Sequence, residues 1–385
     1  MATKAEKKRG TDVLYGLIAE AKGYSDVIIL GRGDPDFDTP AHIIDAAARA
    51  AQREDLEASP PEGILALRTA IAERVRAVNG IDVDPETEVV VTNGGQEAIF
   101  LMVLAALGPG DEIIVPEPNY NTYKDAVAFA GGVSVGIDTD PSEAFRVDPE
   151  RVRAAITERT RALLLVSPNN PAASVVSRED MRALVGIAEE HDLVVIGDDI
   201  YDLLTYDGHE HTSPGAVAGG KARTLTLNAL SKTYAMTGWR TGWIIGPADL
   251  MEVVRELKAA VSGPASIVAQ HAAVAALTGP QDAMESMREA YVRRRTVVLE
   301  ALSQMGLPYG EPQGGQFVFV DISSTGMSSL ELSQKILTDQ HVLAYPGGAF
   351  SESMNQFLRM TFLQPEEKLR EGLGKMKKVI DEVLA

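Results

Sequence analysis

The sequence predicts an α/β protein: a large domain built on a mostly parallel seven-stranded sheet flanked by helices, plus a smaller α+β domain. Short apolar runs alternate with longer segments of helical period, which is the pattern of strands joined by crossover helices. The 385 residues exceed the size at which a single hydrophobic core usually stops growing. The pattern also changes after about residue 280, where a long charged helical segment begins.

Seven apolar runs are the candidate strands of the larger sheet. Their hydrophobicity is continuous rather than alternating, which predicts that both faces of each strand are covered. The runs are 88–92, 112–115, 133–137, 162–166, 193–196, 224–227 and 243–245. The helices predicted between them are 96–106, 121–129, 148–155, 178–191 and 249–260.

The smaller domain is predicted from the last hundred residues. Its helix, 282–305, carries the arginine triplet 293–295, which we interpret as a solvated helix face, and its strands are 317–322 and 357–362. The predicted division is an N-terminal segment that joins the small domain, a large ligand-binding domain and a small C-terminal domain. Their ranges are 1–45, 46–285 and 286–385.

Composition and charge exclude several classes of partner. With 36 basic and 55 acidic residues the net charge is -19, which would repel a nucleic acid backbone. The absence of cysteine excludes disulfides and thiolate metal sites and is typical of a reducing compartment. The N-terminus has no apolar signal sequence, and no apolar run approaches the ~18 residues of a membrane span. His209 and His211 lack a third ligand, so we expect no metal site. Together these observations predict a cytoplasmic protein that binds neither membrane nor nucleic acid.

A ten-residue segment, Ser231 to Arg240, carries the strongest chemical signal. Lys232 follows an apolar run directly, and a lysine in a dry site becomes a nucleophile that forms Schiff bases. Arg240 lies eight positions later and offers a planar fork for a phosphate. A nucleophilic lysine beside a phosphate clamp indicates pyridoxal 5'-phosphate (PLP). The alternative is a solvated start of a helix.

Polar residues follow three more predicted strands, where ligands of open parallel sheets bind. Gly94-Gly95-Gln96 opens a helix whose free N–H groups suit a phosphate, although such a sequence is often only a turn. Asn170 is held between prolines and can donate to a ring oxygen, or the loop is merely rigid. Asp198 would be costly to bury unless it faced a cation such as a pyridinium, although it suits a helix N-cap too. Tyr201 follows it by three residues and offers a phenol to the same ring.

Six motifs occur in an order that resembles the class I and II aminotransferases, the fold type I PLP-dependent transferases of the aspartate aminotransferase superfamily. The resemblance runs from about Leu30 to the C-terminal region. The motifs are Gly-Arg-Gly-Asp-Pro-Asp-Phe-Asp-Thr-Pro at 31–40, Pro-Gly-Asp-Glu at 109–112, Ser-Pro-Asn-Asn-Pro at 167–171, Asp-Asp-Ile-Tyr at 198–201, the segment 231–240 and Leu-Arg-Met-Thr-Phe at 358–362. The resemblance implies that PLP is the cofactor and that the protein is a homodimer with active sites at the subunit interface.

The resemblance also implies roles for individual residues. Lys232 would be catalytic and hold the cofactor's aldehyde, and Arg359 would bind the substrate's α-carboxylate with Gly33 nearby. The residues expected around the cofactor are Gly94, Gly95, Gln96, Ser231 and Arg240 on the phosphate side, and Tyr120, Asn170, Asp198 and Tyr201 around the ring. Arg32 is a candidate reader of the substrate side chain, or it pairs with Asp34 or Asp36.

The implied activity is transfer of an amino group between an L-amino acid and a 2-oxo acid by a ping-pong mechanism, with Lys232 moving the α-proton to C4' of the cofactor. Other PLP enzymes on the same scaffold are the alternative: a carbon–sulfur lyase, an aminocyclopropane carboxylate synthase or an oxidase. A noncatalytic sensor is more remote, because only about thirty residues precede the match and the net charge is unfavourable for DNA.

The sequence departs from the family pattern at three places. Ala58 stands where the family usually has a tyrosine that reaches the partner subunit's phosphate. Ala172-Ala173 replaces a Thr-Gly pair, and we expect the loss of this glycine to remove access to positive φ and to change the loop. Ala229 replaces a serine and removes a hydroxyl from the phosphate side.

Overall fold

The computed structural model describes residues 10–52 and 59–385, with side chains from residue 13 onward. Ala58 therefore lies outside the described residues. The helices are α1 (Gly10–Ala21), α2 (Ala41–Ala51), α3 (Leu65–Asn79), α4 (Gly95–Ala106), α5 (Thr122–Phe129), α6 (Pro149–Ala154), α7 (Arg178–Glu190), α8 (Leu230–Thr233), α9 (Ala248–Val261), α10 (Ile267–Thr278), α11 (Asp282–Gln304), α12 (Ser329–Gln340) and α13 (Glu366–Leu384). The strands are β1 (Ile28–Ile29), β2 (Val89–Thr92), β3 (Glu112–Glu117), β4 (Val133–Asp138), β5 (Thr160–Val166), β6 (Val194–Asp198), β7 (Thr224–Ala229), β8 (Gly242–Ile245), β9 (Phe317–Asp321), β10 (Val342–Leu343), β11 (Tyr345–Pro346) and β12 (Phe357–Thr361).

The seven predicted strands form one sheet in the order β2-β8-β7-β6-β5-β3-β4. Strand β8 is antiparallel to both of its neighbours, and the other pairs are parallel, so the predicted mostly parallel seven-stranded sheet is confirmed. Valine, leucine and isoleucine fill the central strands, and helices cover both faces of the sheet. The carboxyl ends of β2, β3, β5, β6 and β7 consequently meet at one edge.

Strand β4 corrects one expectation. Its continuous hydrophobicity predicted cover on both faces, but its residues alternate between half-buried and exposed, and Val133 is 48% exposed. The reason is its position: β4 lies at the edge of the sheet and, within the part of the chain that the structure describes, pairs only with β3. A run of apolar letters does not distinguish an edge strand from a central one.

A second sheet follows the large one along the chain. It has three antiparallel strands in the order β11-β12-β9, packed against α11, α12 and α13 around Phe317, Met360 and Phe362. Strand β1 pairs in parallel with β10, so the N-terminal segment lies beside C-terminal residues. The division into three ranges stays a prediction, and its two boundaries fall within helices α2 and α11.

The arginine triplet also corrects an expectation, because two of its members are not solvated. Arg294 forms a two-pronged ion pair with Asp36, at 2.7 and 3.0 Å, and is 8% exposed. Arg295 is 6% exposed and pairs with Asp207 at 2.6 Å and with Glu311. Their carboxylate partners lie outside this helix, so the helical period of 282–305 gave no sign of this burial.

Candidate active site

A cavity of about 1010 Å³ opens at the carboxyl edge of the large sheet, between this sheet and the smaller one. Side chains of both sheets and of α1 line it. All the predicted site residues except Gly94 are in its wall: Arg32, Gly33, Gly95, Gln96, Tyr120, Asn170, Asp198, Tyr201, Ser231, Lys232, Arg240 and Arg359. The structure thus brings together residues from distant parts of the sequence.

Lys232 lies in the short helix α8, directly after β7. Its Nζ donates to the carbonyl oxygen of Gly33 at 2.8 Å and lies 3.3 Å from Oδ1 of Asp34. Burial lowers the pKa of Lys232, and the neighbouring carboxylate of Asp34 opposes this shift. Asp34 was not among the predicted site residues, although its position next to Gly33 in the 31–40 motif is a signal for it.

Asp198 ends β6 at the floor of the cavity and is buried. Its carboxylate accepts hydrogen bonds from Oη of Tyr123 at 2.8 Å and from the backbone N–H of Ile200 at 3.0 Å. Burial raises the pKa of Asp198 to about 6, and these two hydrogen bonds oppose the rise. Tyr123 was missed by the sequence reasoning; its position one turn after Tyr120 at the start of α5 is the available signal.

Gly94 and Arg240 meet at the turn before α4. Gly94 has φ +83, and a Cβ there would lie 2.7 Å from Nη2 of Arg240. Arg240 itself has φ +55, and it donates to the carbonyl oxygens of Thr237 at 3.0 Å and Asn93 at 3.2 Å. Left-handed backbone at a non-glycine residue is costly and often marks a functional site. The buried Ser231 accepts from Thr237 through its carbonyl oxygen at 3.2 Å.

Arg359 leaves the second sheet on β12 and enters the cavity between three aromatic rings. Its guanidinium carbon lies 4.6 Å from the ring centre of Phe317, 5.1 Å from Tyr345 and 4.7 Å from Phe350. It donates to Oδ1 of Asn170 at 2.8 Å and to the carbonyl oxygen of Gly31 at 2.5 Å, while its buried Nε has no partner among the described residues. Burial lowers the pKa of Arg359 to about 10.

The remaining predicted residues line the rim and one wall. Gln96 is exposed near the N-terminus of α4, and Tyr120 is 38% exposed just before α5. Tyr201 is buried with its ring edge-on to Phe317, at 5.5 Å between centres. Arg32 is exposed and pairs with Asp34 at 2.8 Å, which is one of the two arrangements expected for it.

The loop after β5 overturns the expectation for Ala173. Ala173 adopts φ +60 although it is not glycine, so the alanine does not remove the left-handed conformation. Its N–H donates to the carbonyl oxygen of Asn169, and its own carbonyl oxygen accepts from Gln313 and Gly314, each at 3.0 Å. These three bonds hold the strained residue in place. Ala229, the other departure from the family pattern within the described residues, is buried. Its Cβ lies 3.9 Å from the point where a Cβ at Gly95 would be.

The two histidines considered for a metal lie outside this cavity. His211 is buried, with Nε2 3.3 Å from Oδ2 of Asp199. Among residues 10–52 and 59–385, no group of three or more potential ligands is arranged to hold a metal ion. Within the same ranges, no helix is long and apolar enough to span a membrane.

Comparison with known proteins gives concordant matches along the chain. Residues 25–376 match the family described as aminotransferase class I and II. The chain is 37% identical to aromatic-amino-acid aminotransferase 2 of Thermococcus litoralis, over 94% of each chain. It is 41% identical to the aspartate/prephenate aminotransferase of Thermus thermophilus, over 92% of this chain and 91% of that one. The solved structure of the aspartate aminotransferase from Thermus thermophilus with maleate superposes with a TM-score of 0.92 at 38% identity. The match covers 98% of this chain and 100% of that chain.

Proposed function

Because the chain belongs to the class I and II aminotransferases, which depend on pyridoxal phosphate, we propose that the cavity at the sheet edge is its active site and that Lys232 is its catalytic residue. The protein is a transaminase that moves an amino group between an L-amino acid and a 2-oxo acid. The observation that supports the proposed site best is the position of Lys232 Nζ: it lies in the cavity wall, and burial lowers its pKa.

The residues of the cavity fit pyridoxal phosphate. Asp198 is a buried carboxylate that forms no ion pair with a described lysine or arginine, and a protonated ring nitrogen would supply the missing cation. At the other end, Gly94 leaves the space beside Arg240 that any Cβ would occupy. The unpartnered Nε of Arg359 is a donor available to a carboxylate. Asp198 thus suits the ring nitrogen of the cofactor, the space at Gly94 and Arg240 suits its phosphate, and Arg359 suits the carboxylate of an amino acid.

For the phosphate we propose Arg240 together with the N-terminus of α4. The backbone N–H groups of Gly95 and Gln96 are in the first turn of the helix, where they have no intrahelical acceptor. They therefore suit an anion, and the helix dipole adds to the attraction. Ser231 lines the same cavity as Arg240, and its carbonyl oxygen accepts from the hydroxyl of Thr237, whose own carbonyl oxygen accepts from Arg240.

For the ring we propose Asp198 at the pyridine nitrogen, Tyr201 and Asn170 at the phenolate oxygen, and Tyr120 stacked on one face. Asn170 uses Oδ1 to accept from Arg359, so its Nδ2 group is the part that can donate to the cofactor. Tyr123 holds the Asp198 carboxylate in place through its hydroxyl. Ionised Asp198 would keep a proton on the ring nitrogen, which would make the ring a better electron acceptor.

For the substrate we propose that Arg359 binds the α-carboxylate. The three rings around it and its two protein acceptors fix its direction, so little freedom is lost when a carboxylate binds. Gly33 lies beside Lys232 on the same side of the cavity. Arg32, at the rim, is the proposed contact of an acidic substrate side chain.

The proposed chemistry assigns one proton path to Lys232. Bound pyridoxal phosphate supplies an electron sink for the electron pair left when the α-proton departs. Lys232 Nζ would take the proton from the substrate's Cα and return it at C4' of the cofactor, so one amine would serve as nucleophile and general base. The carbonyl oxygen of Gly33 and the carboxylate of Asp34 are placed to hold this amine while it carries the proton.

We further propose that the protein is a cytoplasmic homodimer with active sites at the subunit interface. The absence of cysteine is compatible with a reducing compartment. Support for the dimer comes from the family resemblance, in which the partner subunit approaches the phosphate. Sedimentation at micromolar concentration, with and without PLP, tests the stoichiometry.

The experiment for the proposed function is Lys232→Ala. We expect complete loss of turnover in a panel of amino donors and 2-oxo acids, and loss of the visible absorbance of covalently bound cofactor. Borohydride reduction followed by peptide mass mapping should place PLP on Lys232 in the unchanged protein. The matched control is Lys22→Ala, because Lys22 is another lysine in the cavity wall and this variant should keep the covalent cofactor. Trapping on Lys22 instead, or turnover without Lys232, would refute the assignment.

A further inference from the structure

A buried ion pair lies behind the proposed phosphate turn and belongs to none of the roles above. Lys258 of α9 is fully buried, at 0% exposure, with Nζ 2.8 Å from Oε2 of Glu97 and 2.8 Å from Oγ of Ser262. It shares the buried face of its helix with Met251 and Val254. A lysine in an apolar helix face is rarely fully buried unless it is paired, so its position calls for a reason beyond packing.

Glu97 connects this lysine to the turn before α4. Its Oε2 accepts from the backbone N–H of Asn93 at 2.6 Å, and its Oε1 accepts from the Asn93 side-chain amide at 3.0 Å. The carbonyl oxygen of Asn93 accepts from Nη2 of Arg240 at 3.2 Å. The backbone around Asn93 is thus held by Glu97 on one side and by the proposed phosphate arginine on the other.

The charge of Glu97 creates a conflict at this helix end. Burial alone would raise the pKa of Glu97, but hydrogen bonds from Lys258, Ser262 and Asn93 outweigh it and lower the pKa, so the carboxylate is charged at neutral pH. An acidic group in the first turn already interacts with the positive end of the helix dipole. A second anion at the same end, the phosphate, would be repelled unless a cation balanced the first one.

We propose that Lys258 is a positioning residue for the cofactor phosphate: it neutralises Glu97, so that Glu97 can hold the Asn93–Gly94 turn without repelling the phosphate bound at the N-terminus of α4. This inference rests on the proposed function, because it takes that helix end as the phosphate site. Lys258 touches neither cofactor nor substrate in this assignment; it acts through Glu97 and Asn93.

The test compares two probes that differ only in the phosphate: PLP and pyridoxal, titrated into apoprotein and followed by the visible absorbance of the bound chromophore. For Lys258→Met we expect PLP affinity to fall about tenfold. A loss of this size corresponds to the repulsion between two unit charges roughly 10 Å apart at an effective dielectric constant of about 20. Pyridoxal affinity should change by less than about twofold, since it brings no phosphate charge to the helix end.

The double variant Lys258→Met with Glu97→Gln separates charge from structure. The glutamine amide introduced by Glu97→Gln keeps an oxygen that can accept from Asn93 but carries no charge, so PLP affinity should return to within about threefold of the unchanged protein. Equal losses for PLP and pyridoxal in Lys258→Met, or no rescue by the second substitution, would overturn the proposal. Circular dichroism and urea unfolding of each apoprotein check that the fold is retained.

A variant that fails to fold and a wrong proposed function give different results. If Lys258→Met does not fold, Glu97→Gln alone decides: its ratio of PLP to pyridoxal affinity should equal or exceed that of the unchanged protein, and a lower ratio overturns the proposal. If the proposed function itself is wrong, the unchanged apoprotein will form no chromophore at Lys232 with either probe. That failure is visible before any variant of the ion pair is made.

Discussion

Asp198 carries an energetic cost in the protein without its cofactor. Its pKa is about 6 in the folded chain because the carboxylate is buried, whereas an unfolded aspartate titrates near 3.9. The protonated native form is therefore favoured: this contribution to stability is fully present below the unfolded pKa and is lost as pH rises through about 6. At neutral pH the fold holds a buried negative charge, and the proposed pyridinium would balance it.

Asp198→Asn should consequently stabilise the apoprotein in a pH-dependent way. At pH 8 we expect a free energy of unfolding about 2–3 kcal/mol above that of the unchanged apoprotein, and a gap smaller by about 1 kcal/mol or more at pH 5. Urea unfolding of both apoproteins at the two pH values measures this. A gap that is constant or grows toward acidic pH would contradict the account. In contrast, the same substitution should weaken PLP binding and lower turnover.

Arg32 is the residue at which the sequence suggested substrate discrimination. Its guanidinium is exposed at the rim and is held by Asp34 at 2.8 Å, so it can turn toward a substrate at little cost. Arg32→Ala should raise KM for aspartate and glutamate more than KM for leucine or phenylalanine. We expect the ratio of the acidic to the apolar KM values to rise about tenfold, which corresponds to the energy of one partly screened charge pair. Steady-state kinetics with the four donors tests it, and an equal change for all of them removes Arg32 as a reader of the side chain.

At the scale of elements, local pattern predicted what depends on local sequence. All seven strands of the large sheet and most of the helices between them, though not α8, follow from continuous apolar runs and helical period. Asn170, Asp198 and Tyr201 were proposed from their positions after those strands, whereas the family resemblance alone pointed to Arg32, Gly33, Tyr120 and Arg359. Pairings between distant segments were not predictable in this way. The Arg294–Asp36 and Lys258–Glu97 ion pairs each join segments far apart in the chain, and no local period records them. The N-terminal segment was expected to join the small domain, but its pairing as strand β1 with β10 was not predicted.

The turn between β2 and α4 shows how an element depends on one backbone conformation. Gly94→Ala places a Cβ at a position with φ +83 and 2.7 Å from Arg240, so both the turn and the arginine must shift. We expect PLP affinity to fall by about tenfold or more, with a loss of about 1–2 kcal/mol in apoprotein stability. Absorbance titration and urea unfolding measure the two effects.

Gly110→Ala is the matched control for that turn. Gly110 has φ +87, but a Cβ there meets no atom of residues 10–52 or 59–385 within 4 Å. This variant should show a similar loss of stability from backbone strain with PLP affinity unchanged. If both variants weakened PLP equally, the effect would come from general strain and not from contact with Arg240.

At the scale of the whole molecule, the cavity depends on contacts between chain segments that lie far apart in sequence. The N-terminal segment supplies Gly33 to the cavity wall and the carbonyl oxygen of Gly31 to Arg359. It is tied to the C-terminal part by the β1–β10 pairing and by Thr361, whose hydroxyl donates to the carbonyl oxygen of Leu30 at 3.0 Å. Arg294 adds an ion pair from α11 to Asp36. The predicted division at residues 45 and 285 would place the site where these parts meet.

Breaking the Arg294–Asp36 pair should therefore affect both stability and substrate binding. Arg294→Met leaves Asp36, whose side chain is 18% exposed, without its cation, and removing one partner of a buried pair costs about 3 kcal/mol. Because Asp36 closely follows Gly33, we also expect KM for amino acids to rise more than kcat falls, and hydrogen exchange at Ile28–Ile29 to accelerate. The double variant with Asp36→Asn removes the orphaned charge and should recover much of the stability, as replaced pairs often do.

Arg76→Met is the surface control: its side chain and that of its partner Asp82 are 67% and 76% exposed, and the loss should stay below about 1 kcal/mol. Equal losses for the buried and the surface variants, or unchanged exchange at β1, would show that the pair does not hold the N-terminal segment against α11.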